Sequence, residues 1–339
     1  MKLNSIFSDN VVLQAQKDVF IFGEGCGIAT IEIDGNSYTV ESKDDKWSIK
    51  LSPFEYGGPY EMLVDLNGVK SVIKNIYFGD VYLLAGQSNN QFKLHDSNTP
   101  TEYYNDNSDL LLYTVDRLEV PGEPFKSSDG WISAKKSDVG EWPALGYLFG
   151  DILTKNSNRK IGLIACYQGA SLIQSWLPKG ILEGTDLFVP TELRASGIRN
   201  PAYSAWNGDG MLYNGMLSKI LPFALNGVVW YQGESNSGGG DSKIEVYSGI
   251  LKLLVNTWRK DFYDNNLKFI IVQIHDLVSV LNNADNGWRN VQSAQEIVCN
   301  DILNTFLVKS ADISETDDIH PKTKLPLAKR IADVIMNNF

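Results

Sequence analysis

Along residues 1–75, apolar runs of strand length alternate with breaks rich in glycine, asparagine and aspartate. Runs at 11–13, 19–22, 29–33, 37–40, 47–51, 60–64 and 69–73 are separated by Gly23, Gly25, Gly27, Asp34-Gly35-Asn36, Asp44-Asp45, Gly57-Gly58-Pro59 and Asn67-Gly68. Asp34-Gly35 and Asn67-Gly68 suit two-residue hairpins, whose central residues need positive φ. The spacing predicts seven short strands in a small β-sandwich domain ending near residue 75. From residue 76 the pattern changes. Apolar runs at 81–85, 160–165, 227–231, 269–274 and 305–308 read as buried strands. Between and after them come stretches of helical period: 144–155 with Leu145, Leu148, Phe149 and Ile152 on one face, 211–225 with Leu212, Met216, Ile220 and Phe223, then 247–258, 288–298 and 324–336. Pro326 is acceptable in the first turn of the last. The alternation predicts an α/β domain over 76–339, a parallel sheet covered on both faces with its site at the carboxyl ends of the strands. Residues 95–143 and 177–210 read as long loops, rich in Asp, Asn, Gly and aromatics, of the kind that often carry function.

Composition narrows the partners. The 339 residues are 43% hydrophobic and 21% charged, as in globular proteins. The formal charge of -11 argues against nucleic acid or an anionic membrane as main partner, since both need a basic face. No apolar run approaches the roughly 20 residues of a membrane helix. The N-terminal stretch, Met1-Lys2-Leu3-Asn4-Ser5-Ile6-Phe7, lacks a signal-peptide h-region, so the chain as given is expected in the cytoplasm, or in a secreted or periplasmic place if a leader has been removed. Cys26, Cys166 and Cys299 are odd in number and far apart, with no disulfide framework or metal pair. With only His95, His275 and His320 available, a multi-histidine metal centre is hard to build, and no cofactor is expected.

Four strand ends carry polar residues able to react. Gly86-Gln87-Ser88-Asn89 follows the first run and suits a sharp strand-to-helix turn that projects the serine oxygen beside backbone N–H groups. A polar loop with Ser88 as a helix cap is the other reading of that stretch. Tyr167-Gln168-Gly169-Ala170-Ser171, Gln232-Gly233-Glu234-Ser235-Asn236 and Asp317-Asp318-Ile319-His320-Pro321 follow three later runs.

This combination resembles the SGNH (GDSL-like) hydrolases, within them the sialate O-acetylesterase and acetylxylan esterase branch, over nearly the whole chain. Phe7-Ser8-Asp9, Val12-Leu13-Gln14, Trp47-Ser48 and Gly57-Gly58-Pro59-Tyr60 look like its N-terminal β-domain. Gly79-Asp80-Val81 with Gly86-Gln87-Ser88-Asn89 is similar to its nucleophile block, and Gly162-Leu163-Ile164 through Gly169 and Trp176 to its second block. Tyr213-Asn214-Gly215-Met216 and Trp230-Tyr231-Gln232-Gly233-Glu234-Ser235-Asn236 are the most specific matches; Trp258-Arg259, Arg289 with Gln292, and Asp318-Ile319-His320-Pro321 complete the order. Asn90 stands where the branch usually has methionine, and Ala170-Ser171 where it usually has glycine and threonine, departures that bear on the acyl pocket and the second-block turn.

The resemblance implies a flavodoxin-like three-layer α/β/α fold and a carbohydrate esterase that removes O-acetyl groups through an acyl-enzyme. Ser88 is then the nucleophile and His320 its base, with Asp317, or alternatively Asp318, orienting the imidazole; a backbone carbonyl could replace either. The oxyanion falls to the N–H groups of Ser88 and Gly169, with Gln232 as a third donor. Gln87, Asn89, Glu234, Asn236, Asn214 and Arg289 are supporting residues, Glu234 by orienting neighbours. His95, seven residues past Ser88, is not expected to be the base; His275 could line the pocket. Trp142, Trp176, Trp206 and Trp288 are candidates for a sugar platform as well as for packing. The implied partner is an O-acetylated sugar, sialic acid first and xylan oligosaccharide as rival. An anionic sialate wants an arginine, for which Arg199 and Arg289 are candidates. Other functions open at this level are a non-catalytic glycan-binding protein and an acyltransferase or thioesterase on the same scaffold.

Overall fold

The computed structural model describes residues 1–118, 130–190, 201–281 and 286–339; Arg199 lies outside them. The chain opens with β1 (Lys2–Leu3), β2 (Val12–Gln14), β3 (Val19–Glu24), β4 (Ile28–Ile33), β5 (Asn36–Glu41), β6 (Lys46–Leu51) and β7 (Gly57–Leu66). β1, β3 and β6 form a three-stranded antiparallel sheet. β4 pairs with β5 and β7, and β7 turns at Asn67-Gly68 into β8 (Val69–Gly86), with Leu66 opposite Val69.

The expected strands at 69–73 and 81–85 are thus one strand of 18 residues, and the expected boundary at residues 75 and 76 falls inside it. Its partners change along its length. The first half pairs with β7 and is largely exposed. Asn75 then takes a left-handed φ of 55°, and from Ile76 onward the strand lies in the core, beside β2 and between two parallel neighbours.

The rest of the chain follows β8 with α1 (Ser88–Gln91), β9 (Asn107–Thr114), β10 (Ile132–Ala134), α2 (Ala144–Ser157), β11 (Ile161–Tyr167), α3 (Pro201–Asn207), α4 (Met211–Gly215), β12 (Gly227–Tyr231), α5 (Ile244–Asp261), β13 (Lys268–Val272), α6 (Val278–Leu281), α7 (Gly287–Asp301), β14 (Thr305–Val308) and α8 (Leu325–Asn338). The large sheet runs β10-β9-β11-β8-β12-β13-β14, parallel throughout except for β10. β9 and β10 lie inside the stretch expected to be loop. Leu110 to Tyr113 are buried in the sheet, although the polar sequence around them hides the run. Leaving out β9 and β10, the order β11-β8-β12-β13-β14 is 2-1-3-4-5 by chain position. The chain leaves β8 toward β11 on one side and β12 on the other, which opens a crevice at their carboxyl ends.

α2 packs with α8, and α5 with α7. Gly146 and Gly150 bring α2 hard against the sheet, where added side chains would strike Leu84 and Leu110. Asn158, in the left-handed conformation, ends that helix. The helix expected over 211–225 stops at Gly215; Met216 leaves helical geometry, and a 3-10 turn covers Leu217–Ile220. Pro222 disfavours helix at Leu221, so the apolar period persists as buried contacts without a continuous helix.

Candidate active site

Ser88 owes its place to three local features. Gly86 ends β8 at a φ of 125°, and any side chain there would run into the Tyr231 carbonyl of β12. Gln87 N–H donates to Tyr231 O at 2.9 Å, while its Oε1 accepts from Gly233 N–H at 3.4 Å and Ser235 N–H at 3.3 Å. Asn90 points into the core, not the cleft, and donates to Ala85 O at 2.9 Å and Val229 O at 3.0 Å. The turn of α1 is therefore bolted to both central strands. The position expected to shape an acyl pocket instead anchors the turn.

His320 reaches the same point from the loop between β14 and α8. Its Nε2 lies 2.8 Å from Ser88 Oγ. Its backbone N–H donates to Asp318 Oδ1 at 2.8 Å, a local side-chain turn that shapes the loop. The ring stacks near Phe92, with centroids 6.2 Å apart and planes at 28°. Burial, then the charge of Lys324, pushes the imidazole below its ordinary pKa, and Asp318 pulls it partly back. Asp317 is exposed, and among the described residues no carboxylate is hydrogen-bonded to the His320 ring. His275 does not line the cleft. It is buried, and its Nε2 meets Asp318 O at 2.9 Å, bracing the same loop from behind. His95 is exposed beside Asp96 and Glu141.

The cleft around the pair has a volume of about 590 Å³. Gln91, Phe92, Gly169, Ala170, Trp206 and Ile319 line it, as do the charged side chains of Lys93, Asp96 and Arg117 and the ring of Tyr203. Gly169 stands against Ser88, but its N–H donates to Gln91 Oε1 at 3.1 Å, so that amide must turn away before Gly169 can face an oxyanion. Of the four candidate tryptophans, Trp206 alone lines this cleft; its Nε1–H donates to Gly169 O at 3.0 Å, and Trp142, Trp176 and Trp288 are core. Ala170 holds a φ of 52°, a left-handed conformation that costs a residue with a Cβ about 1 kcal/mol or more. Ala170→Gly is expected to raise the melting temperature or leave it unchanged, because relieved strain competes with added chain entropy; a clear drop on thermal denaturation would show that this Cβ packs usefully.

Several supporting residues fall elsewhere. Gln232, expected as an oxyanion donor, is fully buried. Its Nε2 donates to Ser171 O at 3.0 Å and Asn236 Oδ1 at 2.7 Å, and its Oε1 accepts from Tyr247 at 2.8 Å. Both ends of the amide are held, so it braces the β12 turn. Asn236 is part of that brace, accepting from Ile173 N–H at 3.0 Å and donating to Gln174 at 3.0 Å. Asn214 lines a different, larger cleft beside Phe20 and Trp47. Arg289 is exposed, paired with Asp276 at 2.9 Å, and does not line the Ser88 cleft. Glu234 does line it and accepts from Asn89 at 2.6 Å, beside the nucleophile turn. Sequence reasoning missed Gln91, Phe92, Lys93, Arg117 and Lys324, which have no motif of their own; only the closeness of Gln91, Phe92 and Lys93 to Ser88, and of Lys324 to His320, hinted at them.

The large, mostly parallel sheet with helices packed around it makes this an α/β protein. The chain belongs to the carbohydrate esterase family described as sialic acid-specific acetylesterase, whose description matches residues 78–337. It is similar to the human sialate O-acetylesterase, 25% identical over 324 residues covering 86% of this chain and 60% of that protein. It is also similar to the mouse sialate O-acetylesterase, 23% identical over 345 residues, covering 86% and 63%. The chain thus spans about 60% of the length of these curated relatives. A carbohydrate acetylesterase from Xanthomonas citri shares the fold, with a TM-score of 0.83 at 24% identity over 98% of this chain and 73% of that one. Among the described residues, no helix is long and apolar enough to cross a membrane.

Proposed function

We propose that this chain removes O-acetyl groups from sugars through an acyl-enzyme on Ser88, with sialic acid as the preferred carrier. The 2.8 Å approach of Ser88 Oγ to His320 Nε2, in an open cleft at the switch point of the sheet, carries the reading. His320 Nε2 takes the hydroxyl proton as Oγ attacks the acetyl carbonyl, so the ring proton of the resting enzyme sits on Nδ1. The oxyanion turns toward the N–H groups of Ser88 and Gly169, with Gln91 displaced. The intermediate collapses, the sugar oxygen leaves with the proton from His320, and water repeats the sequence to free acetate. Asp318 is the acid that assists the base: it shapes the loop through the His320 backbone, and its charge acts on the ring.

The preference for sialic acid over neutral xylan rests on the family match; Lys93 and Arg117 on the cleft wall can meet an anionic sugar, but Asp96 and Glu234 line the same cleft and Lys93 is bridged to Glu141 at 2.9 Å. With purified protein, acetate release is expected to show higher kcat/KM for O-acetylated sialic acid than for acetylated xylan oligosaccharide, with the preference shrinking as salt rises. Equal or greater activity on xylan would overturn the substrate reading, and sugar affinity without turnover the esterase reading. The same scheme sets a pH dependence. His320 must be neutral to accept a proton, so kcat/KM rises with pH to a plateau; since its pKa is depressed, the acid limb lies below the ordinary value of about 6.5. A pH–rate profile with its limb well above that value would contradict the assignment.

The packing of α2 with α8 and of α5 with α7 supports a three-layer SGNH arrangement. The change of partners along β8, from β7 in its first half to β11 and β12 in its second, supports a small β-module over residues 1–75 that shares this strand with, and so braces, the esterase domain over 76–339.

A further inference from the structure

Lys324 lies four residues past His320 and is 1% exposed, a lysine as buried as the core leucines. Its Nζ donates to Asn89 Oδ1 at 2.8 Å and lies over the rings of Phe92 at 4.8 Å and Tyr231 at 5.8 Å. Asn89 passes the connection on. Its Nδ2 donates to Glu234 Oε1 at 2.6 Å and to Ile319 O at 2.9 Å. Asn89 follows Ser88, and Ile319 precedes His320. One buried amide therefore ties together the two chain segments that carry the reacting pair. A buried cation holds one end of that amide and a buried carboxylate the other.

A lysine is not buried for packing alone, because an ammonium out of water is costly unless paired. Here its hydrogen-bond partner is an amide, and among the described residues it makes no ion pair with a carboxylate oxygen. The arrangement pays in desolvation for a fixed charge near the imidazole.

We infer that Lys324 is a positioning residue for the esterase reaction: by holding Asn89 it locks the Ser88 and His320 segments together. Its charge also works to lower the proton affinity of the His320 ring, after burial, and Asp318 opposes it in this. Glu234 lies across Asn89, Glu315 binds Thr323 beside Lys324, and Lys93 and Asp96 stand on the cleft wall. His275 meets the Asp318 carbonyl on this side and also feels the charges of Lys324 and Asp276, and Asp317 is exposed. Burial pushes Lys324 down to about 8 against the pull of Glu234, Glu315 and Asp318, which leaves it charged throughout the range where His320 titrates.

The inference rests on the Ser88–His320 reading, and the test separates the two. In Lys324→Met, which keeps chain length and removes charge, His320 followed by NMR is expected to titrate at a higher pH than in the wild type. The acid limb of kcat/KM should move up with it, and kcat should fall with KM little changed, because Lys324 does not line the cleft. Glu234→Gln/Lys324→Met removes the carboxylate left uncompensated in the single variant, and is expected to fold and keep the same His320 shift. Lys324→Arg should hold the acid limb at its wild-type position. A folded Lys324→Met or double variant with the His320 titration and acid limb unmoved would overturn the inference. Full activity in Ser88→Ala would sink the parent reading instead, and would leave the His320 shift standing as a fact about the ring alone.

Discussion

Ser88→Ala is expected to lower kcat for acetate release by about 10⁴-fold or more, with a small change in KM. Among the described residues the Ser88 hydroxyl has one side-chain partner, His320 Nε2 at 2.8 Å, and α1 is held by Gln87 and Asn90 instead. Removing the oxygen therefore takes away the nucleophile and leaves the turn. Sugar recognition belongs to the cleft walls, so binding should survive. Steady-state acetate release, with thermal melting as the control for fold, measures the effect. Mass spectrometry after rapid quenching should show an acetylated Ser88 peptide in the wild type and none in the variant. Residual activity within tenfold of wild type, in a folded protein, would end the serine mechanism.

His320→Ala is expected to cost about as much, and Ser88→Ala/His320→Ala little more than either single change. Nucleophile and base act as one unit, so their losses do not add. The variant opens a space in the cleft wall beside Phe92, and added imidazole is expected to restore part of the rate. The acid limb assigned to His320 should disappear in the variant, leaving a rate that rises with hydroxide. A preserved limb would place the titrating base elsewhere. His275 is the obvious alternative by residue type, but it is buried against the Asp318 carbonyl and has no route to Ser88 in this arrangement.

Much of this site could be read along the chain. Ser88, Gly169, Glu234 and His320 come together in one cleft as the strand-end pattern predicts, because in a parallel sheet every carboxyl end points the same way. The N-terminal hairpins were legible for a related reason: Asn67 and Gly68 adopt the positive φ values that their residue types favour. Reading failed where burial, not local pattern, decided. Leu110 to Tyr113 make a strand only because β11 and β10 flank them. The 211–225 helix has the right period but carries Gly215 and Pro222, and tertiary contacts hold its apolar side chains without helical geometry. Gln232 sits at a reactive-looking strand end, yet its amide turns inward to Ser171, Asn236 and Tyr247.

The sequence by itself determined which residue types stand at each strand end, since apolar runs, glycine breaks and the polar residues after them are local facts of the chain. Only the tertiary structure decided which of those side chains face the cleft and which face the core. That choice depends on hydrogen-bond partners more than a hundred positions away: Val229 draws Asn90 inward, and Ile319, Glu234 and Lys324 hold Asn89 between the two reacting segments. A buried amide takes whichever direction satisfies both its ends, and no local pattern records where those partners will be.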